Sequence, residues 1–394
     1  MNERDYKNYL VTLRPLESFF FGGRKNSEPE EKKDYYVKSR HFPQQTALLG
    51  MLRQELLMQN GLFPLNSNNR EQAARLIGGK SFNPGCENQD FGVIQEMSPL
   101  VLTKDDHFFH PCPKDLGMTL IIEKSEGKSC FNLAKENGET GKEQAGERPF
   151  IPHMKGYNPK TGTPELLIAN NGCKEWLKYP DVFTESEQVG IKKGREGRTE
   201  EEAYYKQVFL RMEKGFSYAF FISLKKDCDN KPVVLKDSII YMGGERSAFK
   251  MTIKEVSEKS GSENIKELFD KTLPDFAEAK IILYSDAYVD AGIINLCKFA
   301  VTESCYFRNI RSNVRKTKKF DNLKPRDEES EITPYLGKRL NFLKRGSVLY
   351  PDDEDGSIEK IKEMLGKPHF QKIGYNYYKI YTNKIEYTSR QGKE

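Results

Sequence analysis

The 394-residue chain contains one Trp and no recognisable cysteine pairing. Its seven cysteines are odd in number, scattered, and nowhere spaced Cys-x-x-Cys. That excludes a secreted disulfide framework and fits a reducing cytosol. No apolar run approaches the ~20 residues of a membrane helix. The best, Tyr218 to Leu224, has the length of a strand. Met1 to Lys7 is mixed in charge and leads into no signal-peptide core, so a cytoplasmic location away from membranes is expected. Neither charge sign dominates: 63 Lys+Arg face 58 Asp+Glu, a net +5. Apolar residues make up only 37%. That suits two modest cores with long solvated loops better than one dense body.

Catalytic and metal signatures are also scarce. There is no HExxH, no Ser-His-Asp order and no paired-carboxylate spacing. His107, His110 and Cys112 lie close together but lack zinc spacing, so a loop packed on a sheet is expected and no metal or cofactor. Ala74 to Ser81 ends like a phosphate-binding loop, in Gly-Gly-Lys-Ser. Its first glycine is replaced by Ala74, and the preceding residues read as helix rather than strand.

What is present is aromatic and β-rich. The 24 Phe and 20 Tyr exclude a disordered composition. Residues 8–14 alternate and read as a first strand. A helix is expected from about Gln45 to Asn60, with a leucine stripe at Leu48, Leu49, Leu52, Leu56 and Leu57 and Gly61 as its C′ glycine. Segments 91–102 and 116–123 read as strands, with His110 to Asp115 between them. Residues 124–148 and 190–203 read as polar loops. Strands are expected at 205–212 and 217–225, from Ile239 into the glycines Gly243-Gly244 and then again to about Glu255, and at 279–285 and 299–307, with a helix from Ile358 to Leu365. Short strands with few helices favour an α+β fold with antiparallel sheets. The boundary between the two domains, 1–235 and 236–394, falls near residue 235.

Charge is segregated. From Tyr306 to Tyr350 there are twelve Lys/Arg and five Asp/Glu, so this stretch is positive by seven and the remainder negative by two. Clustered cations gain affinity for a phosphate backbone through counterion release. Aromatics interleave with glycines and cations in Phe19 to Lys25, Tyr306 to Arg308 and Gly374 to Lys379. Such loops allow close approach and base stacking on unpaired RNA. His41, just ahead of the helix, is a candidate general base, a phosphate contact or a simple cap.

Taken in order, these segments resemble the RAMP superfamily of CRISPR-associated RNA-binding proteins, and within it the third subunit of the type III-B (Cmr) effector complex. The resemblance rests on Leu13 to Lys25, Phe42 to Arg53, Phe109 to Leu116, and Gly190 to Tyr204. It also rests on Met242-Gly-Gly-Glu-Arg246, Arg345 to Tyr350 and Ile373 to Tyr378. The last segment has one glycine where the family usually carries several.

The resemblance implies two ferredoxin-like, RRM-type domains with long loop insertions. It also implies a non-catalytic subunit in antiviral defence that holds the 5′ repeat-derived tag of the crRNA. Its expected partners are the large polymerase-like subunit and the backbone RAMP subunits. Loops 19–25, 191–198, 243–246 and 308–319 would line the RNA groove. The RNA-binding residues expected on this basis are Phe20, Phe21, Gly22, Gly23, Arg24, Lys25, His41 and Arg53. Further along the chain they are Arg195, Arg198, Gly243, Gly244, Arg246, Arg308, Arg311, Arg315, Lys316, Gly374 and Tyr375. The alternative is a metal-independent endoribonuclease of the same superfamily, with His41 as base, that trims precursor crRNA.

Overall fold

The computed structural model describes residues 6–22, 35–116, 119–121, 153–155, 160, 163, 165–169, 176–193 and 199–226. It continues with 233–256, 279–308, 310–317, 320–321, 324–325, 329–352 and 356–381. The architecture is α+β, with mostly antiparallel strands and few helices. The polar loop expected at 124–148 lies outside the described residues, as do Gly23, Arg24, Lys25, Arg195 and Arg198.

The first strand, Tyr6–Pro15, sits between Ser247–Glu255 and Ser217–Lys225 in a large sheet. Ile94–Met97 and Val101–Lys104 both pair with the other side of 217–225. Numbered by chain order, the central strands therefore run fourth, first, third, second. The second sheet repeats that order: 378–381, 280–283, 348–351, 297–301. Every pairing in that sheet is antiparallel. The helix Ser357–Leu365 connects its third and fourth strands, and a 3-10 turn, Ala291–Leu296, connects its first and second.

The first helix, Gln45–Gln59, packs on one face of the large sheet through Leu48, Leu49, Leu52 and Leu56. The leucine stripe thus does what its spacing predicts. Gly61 takes φ +70° just past the C-cap, and Leu62 N–H bonds the Leu57 carbonyl, which closes the last turn.

Several expectations are corrected. Residues 190–193 and 199–203 are strand and not loop: Phe183–Lys193 pairs antiparallel with Thr199–Met212. His107–Pro111 is a strand, not a connector. The hairpin Ser238–Met242/Ser247–Glu255 hydrogen-bonds to the first strand, so the first sheet runs past residue 235. The Gly78 to Ser81 segment follows a helix, Arg70–Ile77, as its composition suggested, and not a strand.

The second sheet lies against the other face of the first. Val101, Ala219 and Phe221 meet Ile282, Tyr284, Val348 and Tyr350 in one apolar layer. His110 is inside this layer, 1% exposed, its ring edge-on to Tyr284 at 5.2 Å. Burial lowers its pKa from 6.5 to about 4, and the contact with the Pro111 carbonyl offsets this only partly. An unfolded chain takes up the proton first as pH falls, so the stability gained from neutral His110 is full above pH 6.5. It drains away between pH 6.5 and 4, by roughly 3 kcal/mol in total. Urea midpoints should therefore fall less steeply with acid in His110→Gln than in the parent. Parallel curves would remove His110 as the cause.

Candidate nucleic-acid interface

The chain enters the first helix through Ser39 to Gln44, a segment pinned from several sides. The Tyr218 hydroxyl donates to the His41 carbonyl. The Arg40 amide bonds the Gly22 carbonyl at 3.1 Å. Arg40 Nη2 donates to the Tyr306 carbonyl at 2.7 Å, which ties the helix entrance to the start of the basic stretch.

Between these elements lies an open cleft of about 530 Å³. One wall is Lys38 to Gln44 with Tyr179. The other is built from Pro111 to Lys114, Glu303 to Tyr306, Arg339, Lys344 and Arg345. Six Lys/Arg line it against three carboxylates: Glu165, Asp286 and Glu303.

The carboxylates are engaged in the floor. Glu303 takes Lys114 Nζ at 2.8 Å and Lys344 Nζ together. Burial disfavours its charge, but the two lysines win and hold its pKa below the usual carboxylate value. Asp286 accepts the Arg345 amide at 2.9 Å and its Nε at 3.4 Å. The Arg345 guanidinium lies 4.5 Å over the Phe42 ring and donates to the Leu100 carbonyl. Arg345 is therefore a structural cation.

At the rim the picture reverses. Arg339 stacks its guanidinium 3.5 Å from the Tyr306 ring centroid and is exposed. Arg308, at the end of the strand Ser304–Phe307, is also exposed. From here the chain runs into the hairpin Ile310–Thr317/Glu329–Leu336, in which Arg311 pairs by register with Tyr335 and Arg315 with Glu331. Arg311, Arg315 and Lys316 thus stand on a basic hairpin that leaves from the cleft mouth.

His41 does line the cleft, but its ring is held against Tyr179 at 4.5 Å and Phe183 at 5.1 Å. Burial lowers its pKa, so it is neutral near pH 7. Other expected contacts lie elsewhere. Phe20 is 6% exposed and packs on Phe209, while Phe21 stacks on Phe249 at 5.8 Å. The Gly243-Gly244 turn packs on the backbone of Phe20: the Gly244 amide bonds the Phe20 carbonyl, and a Cβ at Gly243 would collide with it, while the Gly22 carbonyl accepts the Arg40 amide. Arg53 is half-buried over Phe91, with Nη1 on the Lys80 carbonyl, and burial lowers its pKa to about 10. Tyr375 is 1% exposed, and its hydroxyl bonds Gln44. The rings expected to stack on bases are largely occupied by the protein itself.

Arg40 and Arg339 are the rim residues that sequence reasoning did not name as contacts, whereas Tyr306 heads the aromatic segment Tyr306 to Arg308 that it did name. Tyr306 and Arg339 stood inside the basic stretch, which gave a partial signal. Arg40 is one isolated cation beside His41 and gave none. Among the described residues, no group of three His, Cys, Asp or Glu is placed to hold a metal ion. No described helix is long and apolar enough to cross a membrane.

No curated protein matches the chain. Among solved structures, it is similar to a chain of the type III-B Cmr-beta complex bound to cognate target RNA, at 13% identity and a TM-score of 0.48. That alignment covers 94% of this chain and 96% of the other. A second Cmr-beta structure, bound to cognate target RNA and AMPPnP, gives 13% and 0.44 over 93% and 94%. A chain of a type III-A Csm3-Csm4 subcomplex gives 11% and 0.33 over 87% and 92%. The family model described as CRISPR-associated protein (Cas_Cmr3) matches residues 11–382, nearly the whole chain. With that match, the motif order read from the sequence has its explanation: the chain belongs to the CRISPR-associated Cas_Cmr3 family.

Proposed function

We propose that the chain is a non-catalytic RNA-binding subunit of a type III-B CRISPR effector complex. In this reading its basic cleft and the hairpin at the cleft mouth hold the 5′ repeat-derived tag of the crRNA. The subunit would join the large polymerase-like subunit to the RAMP backbone. Family membership supports the assembly. The observation that carries the RNA assignment is the rim of the cleft, where Arg40 and Arg339 flank Tyr306 while the acids below are already paired. Phosphates position a strand and unpaired bases stack on guanidinium planes as well as on rings, so an exposed Arg339 stacked on Tyr306 suits single-stranded RNA. The repeated strand order supports two ferredoxin-like units, with their boundary between Glu255 and Lys280.

The test is binding of tag-bearing guide RNA by the Arg308/Arg311/Arg315→Ala variant at two salt concentrations. Three lost phosphate contacts should lower the salt slope by about two, at roughly 0.7 per contact on a single strand. An unchanged affinity and slope would refute the assignment. The same preparation, incubated with repeat RNA in EDTA, should leave it intact. Cleavage lost on His41→Ala would reinstate the endoribonuclease.

A further inference from the structure

The second sheet covers only part of the outer face of the first. It sits over Ala219, Phe221, Val101 and Phe108. Beyond Leu10 the strands 6–15, 247–255 and 238–242 keep that face open. Register defines its residues. Thr12 is opposite Thr252, and their hydroxyls bond at 2.6 Å across the face. Arg14 is opposite Lys250, which is opposite Ile239, and Tyr241 is opposite Ala248. Ile239 and Tyr241 are each 58% exposed, while Ile240 between them is buried in the core. Lys254 continues the row. No Asp or Glu occupies this face within the three strands.

The face runs on through Arg14 into an open groove of about 1080 Å³ beside Phe216, where Lys104, Arg211 and Lys214 add three more cations. Three carboxylates line that groove, and each accepts a local hydrogen bond. Glu17 takes the Ala248 amide at 3.0 Å, Asp181 the Lys178 amide at 2.7 Å, and Glu213 the Thr184 hydroxyl at 2.6 Å. Asp237, at the sheet rim, likewise accepts the Ile253 amide at 2.8 Å. Among the described residues, none of Arg14, Lys214, Lys250, Lys254 and Arg211 forms an ion pair. Lys104 rests on the Phe216 ring. Arg246, at the rim, lies 5.9 Å from the Tyr241 ring centroid. The result is Arg14 beside Lys250 on the neighbouring strand, with Lys254 four residues on, about 13 Å further along, and one exposed aromatic ring, Tyr241, on the next strand.

We infer that this open sheet face and the adjoining groove form a second binding track for single-stranded RNA, separate from the cleft. Unpaired cations release counterions from a phosphate backbone. An exposed tyrosine with an arginine over it offers a stacking platform that tolerates any base. An acidic protein segment would meet the same charges but would make no use of the exposed ring.

The test uses the full chain and a fluorescein-labelled uridine 20-mer, with a glutamate 20-mer as the competing occupant. The Arg211/Lys250/Lys254→Glu variant should bind the RNA at least tenfold more weakly, with a salt slope lower by about two. The Arg211/Lys250/Lys254→Gln variant, which keeps the stems and adds no repulsion, should show a smaller loss in the same direction. Tyr241→Ala should weaken binding with no change of slope. The hairpin variant is measured alone and combined with these. Losses that add mark two independent tracks. Loss on the sheet variants with an unchanged hairpin variant would refute the cleft proposal and leave this one standing. Parental RNA affinity in the Gln variant would overturn the inference. So would a loss confined to the glutamate 20-mer, which would give the face to an acidic protein.

Discussion

Lys280→Met is expected to destabilise the protein by about 3–5 kcal/mol, and adding Asp115→Leu to recover most of the loss. Lys280 opens the second sheet, and Asp115 belongs to the segment that follows strand 107–111 of the first. Their Nζ–Oδ2 distance is 2.6 Å, with side chains only 6% and 3% exposed. The Tyr350 hydroxyl donates to the same Oδ2 at 2.5 Å. Burial lowers the Lys280 pKa, and Asp115 offsets part of that. The single change leaves a buried carboxylate without its cation, which is the expensive outcome. The double change removes both charges and their desolvation together. Urea unfolding of the two singles and the double decides it, with the midpoint read at constant slope. A Lys280→Met loss below about 1 kcal/mol, the scale of a surface pair, would show that the ion pair is not buried in solution.

Gly374→Ala should cost about 4 kcal/mol, though it adds a single methyl. Gly374 has φ +88°, where an L residue loses roughly 1–2 kcal/mol. Its new Cβ would lie 2.5 Å from the Ser98 carbonyl and collide with Gln45 Nε2. That amide holds the junction: it donates to Ser98 O at 3.0 Å and to Ile373 O at 2.9 Å. Displacing it forfeits two buried hydrogen bonds at about 1 kcal/mol each, on top of the strain. At a slope of about 3 kcal/mol/M the urea midpoint would drop by about 1.3 M. Gly356→Ala is the control, since φ there is +86° but nothing stands near the new Cβ. Equal losses at both sites would mean that backbone conformation alone, and not the packing on Gln45, sets the cost.

Local patterns carried much of the fold. The leucine spacing of 45–59, the alternation of the first strand and the 357–365 helix all follow from neighbours in sequence. The site was legible only in part, because its geometry depends on long-range register. Phe20, Tyr375 and Gly374 have the composition of an RNA-contacting loop. Whether such a loop faces solvent or helix 45–59 is decided by contacts more than 300 residues apart, such as Gln45 with Ile373. The same limit hid the acids that neutralise the cleft floor, since Glu303 is separated from Lys114 by 189 residues. It hid the open sheet face as well: Arg14 and Lys250 are lone cations in sequence and become neighbours only through strand pairing. The charge count over 306–350 succeeded because that signal is contiguous.

The cleft is lined by residues from both halves of the chain, and those halves share an apolar layer, a buried ion pair and the Gly374 junction. Opening it would mean exposing that layer to water. A ligand therefore meets a surface whose shape was settled during folding, and the ordering cost of recognition falls on the ligand. A flexible strand that must adopt one path to fit a rigid template is held in register by shape as well as by charge. In the proposed role the protein would work as a gauge, fixing where the strand begins.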